Sequence, residues 1–183
     1  MDTHAEQIWN KTEAGFTIAR LYHAADYERA ELAAKDYFEK TGHPLPDVWL
    51  LYARILLARG QIETAVTLLT GATREFPDDY RFWQLIGESQ VRQGGQSKAL
   101  SALQKTVTLN PKNAASYLWL AKASSDSPQR THWLNTVLLL EPLGSSLAQE
   151  AVGLMKDIES KNRVQPSAVP LPRAPTGHTE RTP

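Results

Sequence analysis

The sequence contains no cysteine. Disulfide staples, thiolate nucleophiles and cysteine-ligated zinc are thereby excluded, while the redox compartment is left open. An excess of charge of either sign is also missing: 20 Lys and Arg stand against 20 Asp and Glu. That balance offers no bulk attraction for a nucleic acid or an anionic membrane surface. No apolar run reaches the roughly 18 residues of a membrane-spanning helix, so direct membrane insertion is not expected. The first residues, Met1-Asp2-Thr3-His4-Ala5-Glu6, hold no basic start followed by an apolar run, so no secretory signal is expected. The default compartment is the cytoplasm, or the periplasm if the chain is a trimmed form.

Catalytic patterns are equally scarce. His4, His23, His43, His132 and His178 are scattered, with no HExxH or HxxxH pair. There is no Gly-x-Ser-x-Gly elbow and no glycine-rich phosphate loop; Gly94-Gly95 reads as a turn. Asp78-Asp79 reads as a pair of helix-capping acids that favour the positive end of the next helix, not as a metal site. The expectation is a chain without cofactor, metal or catalytic activity.

What is present is a period. Trp49 recurs as Trp83, Gly60 as Gly94, Ala65 as Ala99, Leu69 as Leu103 and Pro77 as Pro111, always at the same spacing. One unit runs over 46–79 and the next over 80–113. Trp49, Tyr52, Ala53, Gly60, Ala65, Leu69, Ala72 and Pro77 fill positions 4, 7, 8, 15, 20, 24, 27 and 32 of the first. Trp83, Ile86, Gly87, Gly94, Ala99, Leu103, Thr106 and Pro111 fill them in the second. Each choice has a physical reason. The small residues at positions 8 and 20 let two helices approach. Glycine at 15 allows the left-handed conformation that ends a helix, and proline at 32 disfavours helix in the residue before it. The large residues bury against neighbouring helices; an aromatic of that size covers roughly 150–250 Å².

At these positions the chain resembles the tetratricopeptide repeat family. The resemblance implies an all-α, right-handed helical solenoid of about four helix-turn-helix units with a C-terminal capping helix, and a concave groove that binds other proteins. Two flanking units are degenerate. Counting back one period aligns Ile18, Ala19 and Tyr22 with Tyr52, Ala53 and Leu56, and puts Asp26 at the turn glycine, with an extra residue or two around Thr41-Gly42-His43-Pro44. Counting forward, Tyr117, Leu120 and Ala121 match, but Pro142 follows Pro111 three places too soon. The three missing places are assigned to the turn at Ser124–Pro128, which puts Arg130 where alanine is expected. The resulting division is a degenerate unit at 1–45, two well-matched units at 46–113, a shortened unit at 114–143 and a capping helix at 144–162. A proline-rich tail follows at 163–183. The spacing predicts helices over 5–24, 27–41, 46–59, 62–75, 80–93, 96–109, 114–125, 128–141 and 146–161, with no strand. Ser146 and Gln149 read as a capping box for the last helix, whose apolar stripe is Leu147, Ala151, Leu154 and Ile158. The tail, with Pro166, Pro170, Pro172, Pro175 and Pro183, reads as a linker in extended conformation that adds little to folding, with a PxxP docking motif as the alternative.

The resemblance also implies a site. In the family, positions 2, 5, 9, 12 and 13 of the first helices line the groove. Carried over, position 9 gives Arg20, Arg54, Glu88 and Lys122, and position 5 gives Phe16, Leu50, Gln84 and Leu118. Arg81, Leu57 and Arg92 complete the set. Leu50, Leu57 and Leu118 are expected as apolar sockets, and Arg20, Arg54, Arg81 and Lys122 as partners for carboxylates. The expected partner is a protein or peptide segment with acidic and apolar side chains. Co-chaperones of the family that clamp a C-terminal carboxylate use Lys and Asn in the first unit, Asn in the second, and Lys and Arg in the third. Leu50, Arg54, Leu85, Ala115 and Trp119 stand there instead, which argues against that subfamily. An adaptor or assembly factor is the leading expectation; a bacterial secretion-type chaperone and a homo-oligomerising structural subunit are the alternatives.

Overall fold

The computed structural model describes the backbone of residues 3–164 and side chains over residues 13–161. The proline-rich tail beyond lies outside the described residues. Nine α-helices and no strand occur among the described residues: α1 (Thr3–His23), α2 (Tyr27–Lys40), α3 (Pro46–Ala58), α4 (Ile62–Glu75), α5 (Tyr80–Arg92), α6 (Gln96–Leu109), α7 (Ala114–Ala123), α8 (Ser127–Leu140) and α9 (Ser146–Val164). Their bounds fall close to the expected ones, apart from the last helix, which runs on to Val164.

The helices start where side chains supply the missing acceptors for their first N–H groups. Asp26, Asp79 and Asn113 accept from the backbone N–H of Arg29, Arg81 and Ser116. Proline opens α3 and stands in the first turn of α8, where its missing N–H costs nothing. For α9 the cap differs from expectation: Ser145, not Ser146, accepts from the N–H of Ala148, and the Gln149 amide donates to the Gly144 carbonyl. The paired helices turn through Gly60 and Gly94, both at positive φ (75° and 78°). In the first pair that place belongs to Ala25, at φ 56°, and not to Asp26, which caps the next helix.

Packing follows the chain order, each helix resting on its sequence neighbours. Ala30, Ala34, Ala53, Ala65, Ala72 and Ala99 are fully buried where helices approach. Around them the core falls into successive clusters along the stack, one with Ile18 and Tyr52, one with Trp49, Leu69 and Phe82, one with Leu103 and Leu120, and one with Leu118 and Leu134. The Phe38 ring meets Trp49 edge-on at 4.7 Å between centroids, which joins α2 to the following unit. On α9, Ala151 and Ile158 are buried against α7 and α8, with Leu147 and Leu154 packed beside them.

Two polar arrangements replace repeat-pattern residues. Arg130 occupies the place of Ala65 and Ala99, as the shortened spacing predicts, and its Nε donates to the Ala121 carbonyl at 3.1 Å. That carbonyl belongs to the last turn of α7, where helical acceptors lose their partners. The guanidinium therefore satisfies an acceptor that the early end of α7 releases. On α2, Glu31 is buried. It accepts from Lys35 at 2.6 Å, Arg59 at 2.7 Å and the Gln61 amide at 3.1 Å. The last two partners lie at the turn between α3 and α4, so this cluster ties the first unit to the second.

Candidate protein-binding face

The odd-numbered helices form the inner side of the stack. Along the series α1, α3, α5, α7 and α9, each helix touches the next, whereas no two even-numbered helices touch among the described residues. A stack whose members meet on one side and splay on the other is curved, with the odd-numbered helices on its concave face.

Backbone hydrogen bonds at the helix ends fix which residues share a level. The turn after α1 is closed on the carbonyls of Arg20, Leu21 and Tyr22; the turn after α3 on Ile55, Leu56 and Leu57; the turn after α5 on Ser89, Gln90 and Val91. Arg20 is thus level with Ile55 and Ser89, one place away from the expected match with Arg54. The row through Arg54 and Glu88 begins at Ala19. Phe16 is level with Leu51 instead of Leu50. The cause is the extra residue between α2 and α3: counting back a full period through it slips the first unit by one place. One residue on a helix is a rotation of about 100°, enough to take Arg20 out of the row.

Other expected residues are also reassigned. Leu50 is 8% exposed and Leu118 2% exposed, so both are core side chains and neither is a socket. Arg81 is claimed locally: its guanidinium meets Asp79 at 2.6 Å and Asp47 at 2.6 Å. The Arg81 hydrogen bonds hold the Asp79 carboxyl below the usual carboxylate range. Lys122 pairs with Glu150 of α9 at 2.7 Å and lies 4.2 Å from the centroid of the Trp119 ring. The Gln84 amide donates to Glu88 at 2.7 Å and its carbonyl accepts from Asn113 at 2.7 Å.

Arg54, expected as a carboxylate partner, and Arg92, expected in the groove, carry no ion pair among the described residues, and neither does the displaced Arg20. Arg54 and Arg92 line one depression of about 220 Å³ with Tyr22, Leu57, Leu85 and Glu88. A second depression of about 290 Å³ lies between α1 and α3, lined chiefly by Phe16, Ala19, Val48 and Leu51, with Asp47 at its edge. Phe16 is 72% exposed there. The sequence reading missed Trp119 as a groove residue. Its ring has Lys122 on one contact and the Arg92 guanidinium, at 5.7 Å, on another, both within cation–π range. Its level with Leu85, one period earlier, was the available signal.

A tetratricopeptide repeat family model matches residues 46–89, the stretch that carries the clearest period. The chain has a tetratricopeptide-type helical repeat fold. It is 34% identical over 73 residues to human Superkiller complex protein 3, and equally to the mouse protein. The match takes in 40% of this chain and 5% of that much longer protein. Among solved structures, a tetratricopeptide repeat protein of Parabacteroides merdae superposes with a TM-score of 0.71 at 14% identity, over 84% of this chain and 61% of that one. MamA from Desulfovibrio magneticus RS-1 gives 0.66 at 16% identity, over 86% and 97%. YrrB, described as a tetratricopeptide protein with an unusual peptide-binding site, gives 0.65 at 16% identity, over 78% and 74%. At such identities the likeness concerns the fold. No helix among the described residues is long and apolar enough to cross a membrane, and these residues hold no cluster of three or more metal-ligating side chains.

Proposed function

We propose that this chain is a non-catalytic adaptor or assembly factor that binds a segment of another protein along the concave face, and that Arg54 and Arg92 together receive a carboxylate of that segment. The observation that carries the reading is the pair of unpaired guanidinium groups lining one depression beside Leu57 and Leu85. A guanidinium with no internal carboxylate partner retains its capacity for charge-assisted hydrogen bonds, even where, as for Arg92, it also lies near the Trp119 ring. The apolar depression at Phe16 and Leu51 supplies the second half of the recognition, an anchor for an apolar side chain of the same segment. The carboxylate sets orientation and on-rate, and the buried apolar side chain supplies most of the affinity. That the structurally similar YrrB has a peptide-binding site supports the class of partner.

The test starts from a partner captured by pull-down and identified by mass spectrometry, then measured by titration calorimetry. Arg54→Glu is expected to weaken binding about tenfold or more, which is about 1.4 kcal/mol, and to flatten its dependence on salt. Arg54 is exposed, so the fold should survive the change. Glu75→Lys, an exposed position on the outer face at the end of α4, serves as the control. Leu50→Ser is a poor probe because Leu50 is buried. An Arg54→Glu variant that binds normally while Glu75→Lys does not would place the binding surface on the convex side.

A further inference from the structure

The turn from α5 into α6 holds a polar side chain at a place that the two preceding turns fill with leucine. The turns after α1, α3 and α5 close through matching backbone hydrogen bonds, which set Gln90 level with Leu21 and Leu56, and Gly95 level with Asp26 and Gln61. Gln90 is 8% exposed. Its backbone carbonyl accepts from the Gly95 N–H, but its side-chain amide has no hydrogen-bond partner among the described residues. The amide lines a depression of about 550 Å³ that also takes in Ser97 and Lys98 at the start of α6. Leucine suits a buried place of this kind, whereas an amide there is costly until something satisfies it.

The start of α6 is open at the same spot. Gly95 has no side chain with which to cap the helix, and no acid stands in the first turn. The backbone N–H groups of Ser97 and Lys98 find no acceptor, and Lys98 makes no ion pair, among the described residues. A Cβ on Gly95 would sit 2.5 Å from Gln90 Oε1, so glycine keeps the space beside the amide clear.

The first turn of α2 shows what such a space fits. The backbone has φ −84° and ψ 68° at Asp26, and φ −80° and ψ 61° at Gly95. The Asp26 carboxylate accepts from the N–H of Arg29 at 3.3 Å and from its guanidinium at 3.4 Å. Lys98 stands at the place of Arg29, with an open N–H and a cation on the same residue. The frame that holds a carboxylate at α2 is thus repeated at α6 without the carboxylate. We infer that this depression is a carboxylate-binding site. The ligand carboxylate takes the place of the Asp26 side chain, on the Ser97 and Lys98 N–H groups and the Lys98 ammonium. The Gln90 amide adds a further hydrogen bond: with no partner to fix it, a half-turn of its end presents Nε2 as a donor. The N-terminus of the helix favours the negative charge. Glu63 of α4, which accepts from the Gln93 amide at 2.9 Å, also lines the depression and limits that charge. It opposes a doubly charged phosphate more than a singly charged carboxylate. The site shares no lining residue with the depression of Arg54 and Arg92, so it does not depend on the concave-face reading.

The test is a nuclear magnetic resonance titration of the isotope-labelled full chain, followed at the backbone signals of Ser97 and Lys98 and the side-chain amide of Gln90. Sodium acetate provides a bare carboxylate, and acetylglycine a carboxylate on a peptide unit, as at a chain end. Inorganic phosphate and sodium chloride are the comparison anions. Both carboxylates are expected to shift these signals saturably, with dissociation constants on the order of 10 mM for a single polar anchor. Phosphate should bind severalfold more weakly, and chloride should not saturate. Tighter binding of acetylglycine assigns the carboxylate to a protein chain end; equal binding assigns it to a small free acid. Gly95→Asp rebuilds the cap seen at Asp26, so it should melt no lower than the parent and lose the response. Gln90→Leu should raise the melting temperature and weaken carboxylate binding severalfold, a combination that a purely structural glutamine would not give. The absence of a saturable shift, phosphate bound as tightly as acetate, or an unchanged response in either variant would overturn the proposal.

Discussion

Gly87→Leu should unfold at a much lower urea concentration than the parent, by about 1–3 kcal/mol or more of lost stability. At a slope of about 1–3 kcal/mol per molar urea, that is a midpoint shift on the order of 1 M. Gly87 lies in α5 where α6 crosses it. A Cβ added there would sit 2.5 Å from Leu103 Cγ and 2.7 Å from its Cδ2. Leu103 cannot yield, because it is fully buried against Ala99, Leu120 and Ala123. The remaining carbons of the new leucine would have to separate the two helices. Gly95→Ala is the comparison. Its added methyl also meets an atom at 2.5 Å, but that atom is Gln90 Oε1, the free end of a flexible side chain. Gly95 itself has φ −80°, which alanine adopts readily; the left-handed place in that turn belongs to Gly94. Its cost should stay within about 1 kcal/mol, the scale of a change at a helix cap. Equal midpoints for the two variants would show that α5 and α6 do not meet at Gly87.

The difference between those two glycines was legible in the sequence because the period places them, and a period is a property of many residues at once. Trp49 with Trp83, and Pro77 with Pro111, fixed the middle units and through them nearly every helix boundary. Errors arose where one residue had to decide a level alone. The insertion between α2 and α3 displaced Arg20 and Phe16 by one place, because the sequence marks an extra residue or two around Thr41 to Pro44 without fixing their number, and the count of a full period passed straight through them. Side-chain direction was the second difficulty. Leu50 and Leu118 stand at groove positions of the repeat, yet both are core residues, since the curvature of the stack sets how much of each inner helix is covered. Arg81 and Lys122 failed as free cations for a third reason. Asp79, two places before Arg81, was read only as a cap, while Asp47 and Glu150 come from other helices, beyond the reach of spacing along a single helix. Trp119 is the converse: weighed only against the carboxylate clamp and left out of the expected groove set, it lies between two cations on the inner face.

The buried carboxylate of Glu31 gives the second large effect, one that depends on pH. Its pKa is held below the ordinary glutamate value, first by the hydrogen bond from Lys35, then by the charges of Lys35 and Arg59 and the hydrogen bond from Gln61, with burial opposing them. A carboxyl with a lowered folded-state pKa binds its proton more readily when the chain is unfolded. Its contribution is therefore fully present above the unfolded value of about 4.3 and is lost as pH falls through the folded value. Lys35 is half exposed, so its share is weakened by solvent; the pairing with Arg59 across the unit boundary carries more of the weight. Glu31→Gln keeps the shape and removes the charge. At pH 7 it should cost about 1–3 kcal/mol, the scale for a buried polar group deprived of its partner. On acidification the parent and the variant should converge, because protonated Glu31 is itself neutral. Asp79, lowered by Arg81 in the same direction, titrates in both proteins and cancels in the difference. Urea midpoints taken from pH 7 down to pH 3 decide the matter. A gap that closes on acidification identifies the ion cluster as the link between the first two units. Equal midpoints for the two proteins at every pH would mean that Glu31 acts there by packing, and that the first unit is held to the second by Phe38 and its apolar neighbours instead.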